Sequence, residues 1–76
     1  MSNRNQPDLH DAIKLILEGC PSKTATIEMI YQMNIDQDLY RRPKDDKYPP
    51  KHQIRARAVN YSHMFEFVET DKISLL

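Results

Sequence analysis

Glycine occurs once and cysteine once in this chain of 76 residues, and the two scarcities exclude different things. The lone Cys20 leaves no internal disulfide, so the fold must rest on packing alone. The lone Gly19 predicts few tight left-handed turns and rules out a glycine-rich phosphate loop. His10, His52 and His63 are scattered and show no metal-ligand spacing, so no metal and no other cofactor is expected. No apolar run approaches the ~20 residues of a membrane span, and the polar opening Met1–Asp8 lacks the apolar centre of a signal peptide. The expectation is a cytoplasmic protein, nucleoid-associated if it binds DNA, with no membrane and no small-molecule substrate. Enzymatic chemistry is not expected either, because the histidines have no spaced partner and the serines fall in turn-like positions or in the C-terminal hairpin.

Net charge is missing as well, since eleven Lys and Arg balance eleven Asp and Glu. Its distribution is uneven. Residues 41–57 hold seven cations against two acids, a net of +5, while the remainder holds four cations against nine acids, a net of −5. Such an asymmetry bears on partners rather than on fold. With 39% hydrophobic and 29% charged residues the chain fits a folded domain better than a disordered tail. A chain this short forms one domain and buries only about 60% of its unfolded surface, so its stability margin is thin.

Residues 1–7 read as a frayed lead-in, and residues 8–76 as a single domain. Asp8 is a natural N-cap for a first helix whose apolar stripe is Leu9, Ala12, Ile13, Ile16 and Leu17. Gly19 and Pro21 stop it. Cys20, in that turn, reads as a small filler rather than a reactive thiol. Thr24 or Ser22 caps a second helix with Ile27, Ile30, Tyr31 and Met33 or Asn34 inward, tailing off over Ile35–Leu39. The loop that follows has one short extended piece at Leu39–Arg41 and an exposed turn at Lys44-Asp45-Asp46-Lys47, whose adjacent aspartates read as solvated rather than catalytic.

Residues 48–65 organise the rest. Pro49-Pro50 suit a first helical turn, where the amide hydrogens have no partner to lose. Ile54, Ala58 and Tyr61 then share one narrow face of a third helix, about 49–61, and small Ala58 suits a close crossing. Lys51 and Arg57 flank that stripe; His52, Arg55, Ala56, Val59 and Asn60 point away. Phe65 and Phe67 lie on one side of a strand, Glu69-Thr70-Asp71 turns, and Lys72-Ile73-Ser74-Leu75 alternates again, giving a C-terminal hairpin. The fold class is α+β, mainly α.

Three short helices followed by a hairpin is the order of a winged helix-turn-helix domain. The residues Thr24-Ala25-Thr26-Ile27-Glu28, Leu39-Tyr40-Arg41-Arg42, Gln53-Ile54-Arg55-Ala56-Arg57, Asn60-Tyr61-x-x-Met64-Phe65-Glu66 and Ile73-Ser74-Leu75 go further. Together they resemble the HARE-type helix-turn-helix family over about residues 8–76. The most specific part is Gln53-Ile54-x-x-Arg57 with Tyr61-x-x-x-Phe65; the loop Lys44–Lys47 departs in lacking a glycine. The resemblance implies a winged helix of the kind attached to restriction, repair and chromatin proteins, with DNA contact the usual proposal. It also covers a domain of a bacterial RNA polymerase accessory subunit that looks like a protein-contact module.

Two functions follow. In the first, double-stranded DNA is the partner, with the third helix in the major groove. Lys51, His52, Gln53 and Arg55 then face bases or phosphates, Arg55 foremost because its planar fork takes two hydrogen bonds. Arg41, Arg42, Lys44 and Lys47 meet flanking phosphates. Arg57 serves as an internal brace to Glu28 or Glu66, and Val59 packs on the wing. Four neutralised phosphates predict a salt slope of roughly −3.6. The acidic wing, Glu66, Glu69 and Asp71, makes monomer binding weak, with tighter binding left to a homodimer or a protein partner. In the second, the domain is an adaptor that contacts an acidic partner, such as a transcription-machinery subunit, or a second copy. DNA binding requires Lys51, Arg55, Arg41 and Arg42 contiguous, exposed and unpaired; an adaptor shows an exposed apolar patch, or arginines tied to Asp36, Asp38 or Asp46.

Overall fold

The apolar stripe of the first helix, α1 (Leu9–Glu18), is what the other elements pack on: Leu9, Ala12, Ile13, Ile16 and Leu17 are all buried. The computed structural model describes residues 6–76. The lead-in expected over residues 1–7 thus lies largely outside the described residues. Asp8 is the N-cap by position but makes no side-chain cap bond, and Gly19 ends the helix at φ −90°, a right-handed conformation open to any residue. Cys20 is buried, its thiol against the Ile16 carbonyl at 3.2 Å.

A 3-10 turn at Pro21–Lys23 leads into strand β1 (Thr24–Thr26), and helix α2 (Ile27–Gln37) follows directly. The cap of α2 is therefore Thr26, whose hydroxyl accepts from the Met29 amide at 3.1 Å, and not Thr24 or Ser22. Ile27, Ile30 and Asn34 are its buried residues, while Met29 is 46% exposed. The helix stops at Gln37, short of Leu39, because Asp38 turns left-handed at φ 51°. Ser22, Lys23 and Asp46 do the same. Scarcity of glycine has not removed the left-handed turns; serine, lysine and aspartate carry them instead, against a steric cost of about 1 kcal/mol or more each.

The third strand is not at Leu39–Arg41. Two side-chain amides take up that backbone: Asn34, 1% exposed, donates to the Tyr40 carbonyl at 3.0 Å and accepts from its amide at 2.9 Å. Gln6 does likewise for Arg41, at 2.8 and 3.0 Å. With its main-chain groups satisfied this way, the segment needs no ladder. The strand forms at β1, which β3 (Lys72–Leu75) reaches from the far end of the chain.

Helix α3 (Lys51–Asn60) begins behind Pro50, and β2 (Phe65–Glu69) and β3 form the expected hairpin. Strand β3 is central in an antiparallel sheet of order β1-β3-β2, with Ala25 and Phe67 both opposite Ile73 and a bulge at Val68. The inner face, Ala25, Phe65 and Ile73, is buried against α1 and the helices beside it. The result is a small compact α+β domain of three helices and a three-stranded antiparallel sheet. Among the described residues no helix is long and apolar enough to cross a membrane.

Candidate functional site

Ile54 and Ala58 of α3 are sealed in the core, 0% and 1% exposed, and that anchoring decides what the rest of the helix shows. Tyr61, next on the stripe, is half-buried and stacks on the His10 ring at 4.1 Å. Lys51, His52, Ala56, Val59 and Asn60 are exposed; Gln53, Arg55 and Arg57 are half-buried. Val59 is 56% exposed. Arg57 makes no ion pair to Glu28 or Glu66; among the described residues Glu28 is taken by a different cation.

That cation is Lys51, whose Nζ lies 3.0 Å from a Glu28 carboxylate oxygen across the gap between α3 and the start of α2. One turn on, Arg55 reaches the β2–β3 turn. Its Nη2 donates to the Thr70 carbonyl at 2.6 Å and to the Asp71 carboxylate, and its guanidinium lies 5.4 Å from the centre of the Phe67 ring. The two pairs frame an open cleft of about 520 Å³ between α2, α3 and that turn, with Thr26 and His52 also on its walls.

The 41–47 loop is wired in the same manner. Arg41 donates through Nε to Asp38 at 2.9 Å and through Nη1 to Asp46 at 3.3 Å, with the Tyr48 ring 5.1 Å away. The Asp38 bond first, then Tyr48, holds the Arg41 guanidinium above its already high ordinary pKa. Arg42 pairs with Asp45, and that bond, helped by the Lys47 amide, holds the Asp45 carboxyl below its ordinary value. Arg42 also donates to Gln53 Oε1 at 3.4 Å, which joins the loop to α3. Asp45 and Asp46 are exposed to solvent, as expected, and each also partners an arginine.

The residues nominated for phosphates fall into two groups. Lys51, Arg55, Arg41 and Arg42 are each matched to an acid, Lys51 and Arg55 across to α2 and the hairpin turn and Arg41 and Arg42 within and beside their own loop. Lys44, Lys47 and His52 are exposed, with no hydrogen-bonded or ion-paired side-chain partner among the described residues. Asp38 and Asp46 tie up Arg41, as the adaptor alternative required, whereas Glu28 as the partner of Lys51 and Asp71 as the partner of Arg55 are what sequence reading missed. Asp38 and Asp45, each three residues from its arginine, carried a local signal.

A separate cluster departs from the expectation of no metal-ligand grouping: Asp8, His10 and Asp11 place ligand atoms within 4.8 Å of one another. His10 Nδ1 is buried with no hydrogen-bond partner, and Nε2 lies 3.6 Å from Asp11. The cluster sits at the N-terminal end of α1, where the helix dipole disfavours a cation. Compared with protein-family models, with curated proteins and with solved structures, the chain matches none.

Proposed function

We propose that the chain is a winged-helix interaction domain, without enzymatic activity, that binds another protein rather than duplex DNA. The winged-helix reading is supported by the element order, three helices with a strand between the first two and a closing hairpin, and by the sheet order β1-β3-β2. The preference for a protein partner is carried by one observation: Lys51, Arg55, Arg41 and Arg42, the four cations that DNA binding required to be unpaired, are each already paired with a carboxylate.

Affinity for DNA comes mainly from cations that displace condensed counterions, and each one compensated internally contributes little to that release. Approach of a duplex would also bring Glu28, Asp38, Asp45, Asp46 and Asp71 towards phosphates, a repulsion that grows with every acid near the surface. The outward side of α3 shows Ala56 and Val59, small apolar surface that suits a protein contact better than a charged groove. The DNA reading keeps one supporting observation, that Lys44, Lys47 and His52 are exposed and have no hydrogen-bonded or ion-paired side-chain partner among the described residues.

A duplex-DNA titration at two salt concentrations, on the wild type and on Lys51→Ala/Arg55→Ala, separates the two. The expected result is no saturable binding near physiological salt by either protein. Micromolar binding with a log–log salt slope near −3.6, lost in the double variant, overturns the proposal in favour of DNA.

A further inference from the structure

We infer that the cleft between α2, α3 and the β2–β3 turn is the seat of an acidic side chain from a partner protein, which enters by taking Arg55 over from Asp71. This deepens the interaction reading above and rests on it. The occupant is an Asp- or Glu-bearing segment.

Four features of the cleft point there. First, Arg55 is held in position by groups other than Asp71: the Thr70 carbonyl accepts from it at 2.6 Å and the Phe67 ring lies 5.4 Å from the guanidinium. It therefore stays aimed when the carboxylate leaves, and a pre-placed guanidinium loses little freedom on binding. Second, only Nη2 is engaged. Nε and Nη1 donate to nothing among the described residues, so one edge of the fork is open to a second carboxylate even before exchange.

Third, the turn does not depend on the Asp71 side chain. Its main-chain carbonyl accepts from the Ile27 amide at 2.7 Å, which pins the turn to the start of α2 while the carboxylate, 70% exposed, is able to swing out. Displacement is a side-chain event. Fourth, His52 stands exposed on the same wall, and Lys51 spends one hydrogen bond on Glu28, leaving further donors in the cleft.

Replacing one carboxylate by another conserves the ion pair, and exposed pairs are weak enough that the exchange costs no more than about fivefold in affinity. DNA has no such route, since its many phosphates must meet Glu28 and Asp71 together. With about 520 Å³ the cleft holds more than a carboxylate, so a short acidic stretch fits rather than an isolated ion.

The test uses the full chain and a fluorescent hexaglutamate peptide, read by anisotropy at low salt, with the Arg55 side-chain Nε–H signal followed by NMR. Asp71→Asn keeps the main-chain bond to Ile27 and removes the internal competitor, so it is expected to tighten peptide binding about fivefold. Arg55→Ala is expected to abolish it, and the Arg55 Nε–H signal of the wild type should shift on titration. Should Asp71→Asn unfold the domain, that wild-type shift decides by itself. Unchanged affinity in a folded Asp71→Asn, or a still Arg55 signal, overturns the inference. Equal gains for hexaglutamate and for duplex DNA overturn the choice of occupant. A flat peptide titration beside a wild type that ignores DNA removes the cleft as the seat and leaves the interaction reading standing.

Discussion

Replacing Asn34 by alanine is the perturbation that probes the domain most directly. The side chain is 1% exposed and closes two hydrogen bonds on the Tyr40 main chain, at 3.0 and 2.9 Å, so its removal strands a buried donor and a buried acceptor. Each stranded group costs about 1–3 kcal/mol. Partial access of water to the loop trims the sum, and roughly 3 kcal/mol is the working figure. A domain of this length has a total stability on the order of 4–11 kcal/mol, so the loss is a large share of it. In melting temperature it amounts to about 12–24 °C. Thermal unfolding by circular dichroism measures it, and amide exchange at Tyr40 tests the cause, because that amide should lose protection faster than those of α1. A fall in melting temperature under about 5 °C, with Tyr40 still protected, would show that the clamp is not what holds residues 39–41 in place.

Three further outcomes are expected. Thr26→Ala removes the hydroxyl that accepts from the Met29 amide and should cost about 1 kcal/mol in urea unfolding, more than Thr24→Ala, whose hydroxyl bonds only the Ser22 carbonyl and Ser74. Lys23→Gly should stabilise by about 0.5 kcal/mol, since relief of a left-handed φ of 52° at an exposed position outweighs the added freedom of glycine in the unfolded chain; a loss of stability in the same assay would contradict the strain argument. The Asp45 carboxyl titrates below its ordinary 3.8 in the folded state, so the stability it contributes is present above that value and lost as pH falls through the lower folded one. Urea melts across that acid range should show a shallower decline for Asp45→Asn than for the wild type.

How much of this was readable from the chain differs by element. Periodicity placed α1 and the inward face of α3 correctly, because Leu9 to Leu17 and Ile54 to Ala58 repeat at the spacing of a single helix and burial follows that spacing. The hairpin was readable too, since its two strands and turn are contiguous. Strand β1 was not. Thr24-Ala25-Thr26 carries equal signals for a helix cap and a strand, and its ladder partner Ser74 lies 50 residues away. The loop at 39–41 was misread for the converse reason, that its hydrogen-bond partners are side chains on α2 and on the lead-in.

The candidate site divides along the same line. Sequence located the cations of residues 41–57 and put His52 and Arg55 on the outward side of α3, with Lys51 flanking its buried stripe. It said nothing of their charge state as a surface, since the acid that meets Lys51 lies 23 residues away and the one that meets Arg55 lies 16 away. Order along a chain fixes which residues share a helix face, because the repeat of a helix is local and the hydrophobic effect acts on it directly. Only the packing of α3 against α2 and the hairpin decided that Lys51 would meet Glu28 and Arg55 would meet Asp71, because an ion pair between elements depends on distances that no local repeat contains.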